Sequence, residues 1–95
     1  MKIRFTRLAH QDIQEVYEYI SQESPQAAQS VLDHIEKAID QLIIHPKIGR
    51  LGRVTKTREL IVAGLPFIVV YSTSDKFVDI VSIMHTSRRW PDRFE

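Results

Sequence analysis

Ninety-five residues, 43% hydrophobic and 26% charged with a net charge of +1, are enough for one domain with a modest core. The absence of cysteine excludes a disulfide framework and thiolate chemistry. The longest apolar runs, such as Phe67 to Tyr71, are far too short to cross a bilayer, and the N-terminus has no apolar leader core, so the expectation is a soluble protein of the cytoplasm.

Lys2 to Phe5 alternates polar and apolar residues and predicts a short first strand. Thr6 can cap a helix beginning at the next residue, because its hydroxyl can accept a bond from an orphan helix N–H. Ala9, Ile13, Val16, Tyr17 and Ile20 then recur with a 3.6-residue period, which predicts a helix ending near Ser21 to Glu23. Ser24-Pro25 restarts the helix, with Ser as N-cap and Pro at the first helical position. Ala28, Val31, Leu32, Ile35, Ala38, Ile39 and Leu42 form its apolar stripe, and Pro46 and Gly49 end it. The two stripes predict an antiparallel helical hairpin that needs a third surface to bury against.

A sheet supplies that surface. Arg58 to Val62 is one strand, Ala63-Gly64-Leu65 a turn, and Pro66 to Ser72 a second strand. Thr73 to Lys76 turns again into a third strand, Phe77 to His85. The expected fold is α+β: an N-terminal strand and an antiparallel helical hairpin packed on a mostly antiparallel β-sheet, in a single domain spanning 1–95. The long irregular segment from His45 to Thr57 is the candidate functional loop.

Charge divides along the chain. Arg7 to Ile43 carries −5 and Ile44 to Glu95 carries +4. Between His45 and Arg58 stand five cations (Lys47, Arg50, Arg53, Lys56, Arg58) and no anion. This predicts an acidic solvated face and a basic working face. The strands also hold surplus apolar residues: Phe67, Val69 and Tyr71 point one way, Ile68 and Val70 the other. In the last strand, strict alternation sets Val78, Ile80 and Met84 against Phe77, Val81 and Ile83. Helices cover one face of such a sheet, so on the other an apolar face is expected that either takes a partner or is covered by a curled sheet and the C-terminal tail with Trp90 and Phe94.

These pieces together resemble a known family. The segments Ala9-x-x-Asp12-Ile13-x-x-x-Tyr17-x-x-Ile20, His45-Pro46-x-x-Gly49-Arg50 with Gly52-Arg53-Val54, Thr57-Arg58-Glu59-Leu60, Pro66 to Tyr71, and Ile83-Met84-His85 with Arg88-Arg89-Trp90-Pro91 stand in the order of the ParE branch of the RelE/ParE superfamily of toxins. The resemblance covers nearly the whole chain. It implies a growth-inhibiting toxin of a type II toxin–antitoxin module, held silent by a neighbouring antitoxin with a DNA-binding half, often ribbon–helix–helix. The antitoxin's disordered tail would wrap the sheet groove, with Phe67, Val69, Tyr71, Val81 and Ile83 as its expected contacts.

The superfamily implies two mechanisms: inhibition of DNA gyrase without catalysis, or ribosome-dependent cleavage of mRNA. Metal-free RNA cleavage needs an acid, a base and cations at the phosphate. Arg58, His85 and Arg89 are the candidates, His85 because an imidazole titrates near neutrality. Glu59 is a weaker one, since strand neighbours point to opposite faces and it cannot share a site with Arg58. The paired strand lysines and C-terminal tyrosine of the cleaving branch are missing, and Trp90 comes after the arginines instead. A docking surface uses Arg50, Arg53, Arg58, Arg88, Arg89 and Trp90 as target contacts, Arg and Trp being residue types that dominate interface energetics. The four histidines show no zinc-ligand spacing and there is no Gly-rich phosphate loop, so no metal and no cofactor is expected.

Overall fold

The computed structural model describes residues 1–87. Strand β1 (Lys2–Phe5) leads into α1 (Arg7–Ser21) and α2 (Pro25–Ile44), followed by β2 (Arg50–Leu51), β3 (Arg58–Ile61), β4 (Phe67–Thr73) and β5 (Phe77–His85). Both helices start at the predicted caps. Thr6 Oγ1 accepts from the Ala9 N–H at 3.1 Å, and Ser24 Oγ from the Ala27 N–H at 3.1 Å, with Pro25 in the first turn. The helices form the expected hairpin, broken over Gln22 to Ser24, where the Glu23 and Ser24 N–H groups bond back to Ile20 O.

The strand order is β1-β5-β4-β3-β2. β3, β4 and β5 form the predicted antiparallel meander, and β1 joins parallel to β5. The Arg4–Asp79 ion pair, 2.7 Å between cross-strand partners, lies along that junction. β2 is an addition: two residues of the supposed irregular loop pair with β3, Arg50 beside Glu59 and Leu51 beside Arg58. The turn Val54–Thr57 closes this hairpin, with Lys56 at φ +67°.

The helices cover one face of the sheet. Ala9, Ile35, Ile39 and Leu42 meet Phe67, Val69, Tyr71, Val78, Ile80 and Ile83 there. The helices therefore cover the face that carries most of the expected antitoxin contacts. Phe67, Val69, Tyr71 and Ile83 belong to the face buried by the helices, with Val69 and Tyr71 wholly enclosed. Of the expected contacts only Val81 lies on the opposite face, half-buried against Ile68, Val70 and Met84. Those three are themselves buried, so among the described residues the broad uncovered apolar face is not found.

A β-bulge explains the error in β5. Val70 pairs with Ser82 but Tyr71 pairs with Ile80, so Val81 is the extra residue. The slip carries Ile83, rather than Met84, onto the face of Val78 and Ile80. Strict alternation cannot anticipate an inserted residue, because one slip reverses every side chain beyond it.

Candidate functional site

The cationic stretch is folded onto the sheet by three polar groups. Glu59 is 2% exposed. Its carboxylate accepts from Arg50 Nε at 3.1 Å and the Arg53 backbone N–H at 2.8 Å, and Arg50 Nη2 lies 3.0 Å from it. A buried carboxylate is tolerated only with such partners. Tyr71 Oη accepts from the Gly49 N–H at 2.9 Å, and Arg58 Nη1 donates to Gly49 O at 2.8 Å and Lys47 O at 3.3 Å. Burial pushes the Tyr71 phenol above its ordinary value of 10.0, against the opposing pull of the Gly49 N–H and the Arg58 charge. Gly49 has no room for a side chain: a Cβ there would stand 2.7 Å from Tyr71 Oη and 2.9 Å from Glu59 O. The result is a preformed basic hairpin at one end of the sheet.

Arg50, Arg53 and Arg58, named from sequence, all belong to this hairpin. Arg58 and Glu59 do diverge to opposite faces, Arg58 beside Tyr71 and Glu59 beside Val70. Glu59 serves as the clamp of the hairpin, a role the sequence reading did not assign. The available signal was a lone carboxylate closing a run of cations.

His85 sits at the other end. Its Nδ1 lies 2.8 Å from Ser87 Oγ and accepts the Ser87 N–H at 3.2 Å, and its ring stands edge-on to Phe67 with centroids 5.5 Å apart. His85 pairs with Phe67 whereas Arg58 pairs with Tyr71. Four residues along β4 and two strand spacings therefore separate Arg58 from His85, roughly 16 Å between Cα atoms. The guanidinium of Arg58 is turned onto the hairpin carbonyls. Arg88, Arg89, Trp90 and the rest of the tail lie outside the described residues.

Beside His85 a groove of about 500 Å³ opens between α1 and the strand ends, lined by Val16, Tyr19, Ile20, Leu65, Phe67 and Ile83 among others. Phe67 and Ile83 thus reach a surface at the groove, though Val69 and Tyr71 do not. Its floor rests on Asp12, a residue the sequence reading did not assign a role. Asp12 is 2% exposed and accepts from Ser82 Oγ at 2.6 Å and the Ile83 N–H at 3.0 Å. Thr6 adds its N–H to Ile80 O at 3.0 Å and its hydroxyl to Val81 O at 2.8 Å. The start of α1 thereby satisfies the backbone groups that the bulge takes out of the ladder. A carboxylate between Ala9 and Val16 on the apolar stripe was the legible sign of such a buried partner.

Among the described residues no helix is long and apolar enough to cross a membrane, and no group of three or more His, Cys, Asp or Glu is arranged to hold a metal ion.

Residues 3–90 match the family described as ParE toxin of type II toxin–antitoxin system, parDE. A Sinorhizobium fredii (strain NBRC 101917 / NGR234) protein named "Putative toxin Y4kP" is 39% identical over 90 residues, 95% of this chain and 93% of the relative. "Toxin RelE2" of Caulobacter vibrioides (strain ATCC 19089 / CIP 103742 / CB 15) is 37% identical over 87 residues, 92% of this chain and 97% of the relative. A solved structure described as "Chromosomal ParDE TA system from P. aeruginosa" shares the fold, with a TM-score of 0.79 and 24% identity over 90% of this chain and 95% of that one. The chain belongs to the ParE toxin family of type II toxin–antitoxin systems.

Proposed function

We propose that this toxin acts in the cytoplasm by docking on DNA gyrase and blocking it, with no bond-breaking chemistry of its own. The basic hairpin carrying Arg50, Arg53 and Arg58 is one working surface, and Arg88, Arg89 and Trp90 are further target contacts. The separation of Arg58 from His85 carries the reading. A metal-free ribonuclease needs its acid, its base and its phosphate-holding cation around one scissile phosphate. Here two of the three candidate residues belong to opposite ends of the sheet. Arg58 is also bonded to the carbonyls of Gly49 and Lys47, a structural use of its donors.

The cognate antitoxin, of ribbon–helix–helix type, silences the toxin by laying an amphipathic tail into the groove beside His85. A mostly apolar lining that also includes Glu15, His85 and Ser87 suits the apolar face of such a tail. Phe67 and Ile83 keep the contact role expected for them, joined by Val16, Tyr19, Ile20 and Leu65.

The test is a supercoiling and DNA-cleavage assay with intact gyrase and the purified, antitoxin-free chain. Loss of supercoiling with trapped cleaved DNA is the expected result. Unimpaired gyrase, together with mRNA cut on translating ribosomes, would replace this reading with a ribosome-dependent endoribonuclease using Arg58, His85 and Arg89.

A further inference from the structure

The basic hairpin end of the molecule also carries aliphatic side chains in solvent. Ile44 is 75% exposed, Ile48 52% and Leu51 78%. The bond from the Ile48 N–H to His45 O turns the chain just after α2, between Ile44 and Ile48. Cations interleave with them: Lys47 and Arg50 alternate with Ile48 and Leu51 along the chain. From His45 to Arg58 there is no carboxylate, and the next one, Glu59, is buried and engaged with Arg50 and Arg53.

The position of Leu51 is set by the sheet. A row of cross-strand partners runs Phe5, Ile80, Tyr71, Arg58, Leu51 through all five strands. Tyr71 and Ile80, in the middle, are fully enclosed, but the row continues past the cover to Leu51 at the edge. The Gly52 N–H bonds Thr57 O, and Arg50 is the partner of Glu59. Antiparallel alternation therefore turns the N–H and C=O of Leu51 outward, away from β3. The outer edge of β2 thus presents the N–H and C=O of Leu51, exposed aliphatic side chains and the exposed cation Lys47 together. Phosphate recognition needs the cations and backbone donors but gains little from exposed Ile and Leu. A protein strand uses all three, by adding its backbone to the edge, its apolar side chains to the patch and its carboxylates to the cations.

We infer that the outer edge of β2, with Ile44, Ile48, Lys47 and Leu51 around it, receives an extended acidic protein segment whose carboxylates alternate with apolar side chains. The segment belongs to the target. This rests on the docking reading above and makes the contact one with protein rather than with the DNA that gyrase holds. Because Glu59, Tyr71 and Arg58 already hold the hairpin in place, little ordering cost remains on the toxin's side.

The test tracks the backbone amides of the whole chain by NMR during titration with an eight-residue peptide of alternating Glu and Val. The same titration is run with an alternating Lys and Val peptide and with a 20-base-pair duplex. Expected shifts with the acidic peptide cluster between Ile44 and Ile61, weaken several-fold with added salt, and weaken about tenfold in Leu51→Ser. That variant should fold, since the side chain is exposed. The basic peptide and the duplex should leave these amides unmoved. Shifts elsewhere, or the duplex moving the same amides while the acidic peptide does not, would overturn the inference.

A second arm measures binding of intact gyrase, without DNA, to the wild type and to Leu51→Ser. A tenfold loss in the variant supports the assignment. Undiminished gyrase binding by Leu51→Ser would sink the inference while leaving the gyrase reading intact. A chain that ignores gyrase but binds the acidic peptide at this edge would sink the gyrase reading and keep the docking chemistry.

Discussion

The two ends of one sheet are built on opposite plans. At the hairpin end, side chains from β3 and β4 reach up to hold a loop: Glu59 takes Arg50 and Arg53, Tyr71 takes Gly49, and Arg58 takes the carbonyls of Gly49 and Lys47. At the His85 end, α1 reaches down to hold a strand: Thr6 and Asp12 bond the bulge of β5, and a groove remains beside them. The first plan makes a firm protruding surface out of residues that a sequence reading takes for irregular loop. The second makes a concave one. The docking proposed above and the seating of an antitoxin would use one shape each, and buried carboxylates anchor both.

The comparison can be broken from either side. The largest effect is expected at Asp12. Asp12→Ala removes a buried acceptor from the Ser82 hydroxyl and the Ile83 N–H, and should cost about 3 kcal/mol of unfolding free energy, since bonds to charged groups are the stronger ones. Urea denaturation checks the magnitude. Amide exchange should show the loss concentrated at Val81 to Ile83, and uniform exchange across the hairpin as well would mean that the two ends are not independent.

Glu59→Ala is next, at about 2 kcal/mol, because Arg50 is half exposed and recovers water when its partner goes. The Arg53 amide should lose its exchange protection while the β5 amides keep theirs. A variant that leaves the Arg53 amide protected would show that the hairpin is held without this clamp.

Tyr71→Phe should cost about 1 kcal/mol at neutral pH by leaving the Gly49 N–H without its acceptor. The pH dependence has a definite sign. The fold holds the phenol above 10.0, so the folded chain keeps a proton that the unfolded chain begins to release there. The contribution is complete below pH 10 and is lost as pH rises through the folded value. The stability gap between wild type and Tyr71→Phe should therefore narrow above pH 10, and a gap that widened would reverse the assignment of burial as the dominant cause.

The smallest effect sharpens the functional side. His85→Gln should leave both growth arrest and antitoxin binding close to wild type, since a docking toxin needs no proton transfer at this position. Growth arrest abolished with antitoxin binding retained would move His85 into catalysis and favour the endoribonuclease.

Much of the fold was legible because it is decided locally. Thr6 and Ser24-Pro25 cap their helices through bonds to residues three positions away, and the two apolar stripes obey the helical period. Gly64, at φ +78°, turns the chain between β3 and β4 where the sequence placed a turn. The cluster of Arg50, Arg53 and Arg58 was visible as a run of cations without an anion. Less was legible wherever a long-range partner decides. Val81 is bulged because Thr6 and Asp12, some seventy positions earlier, satisfy the freed backbone groups. That slip put Ile83 with Val78 and Ile80 on the helix-covered face, where it reaches the surface at the groove.

The amino-acid sequence by itself determined the α+β order, the caps, the meander, the cationic stretch and, through the spacing of its short segments, the family. Each of these depends on chemistry within a few residues or on a repeating period. Only the tertiary structure decided which sheet face is closed, that β2 exists, that Glu59 and Asp12 are buried clamps, and that Arg58 and His85 stand apart. Those features depend on cross-strand register and on desolvation, and both are properties of residues distant in the chain that become neighbours only when the sheet and helices have closed.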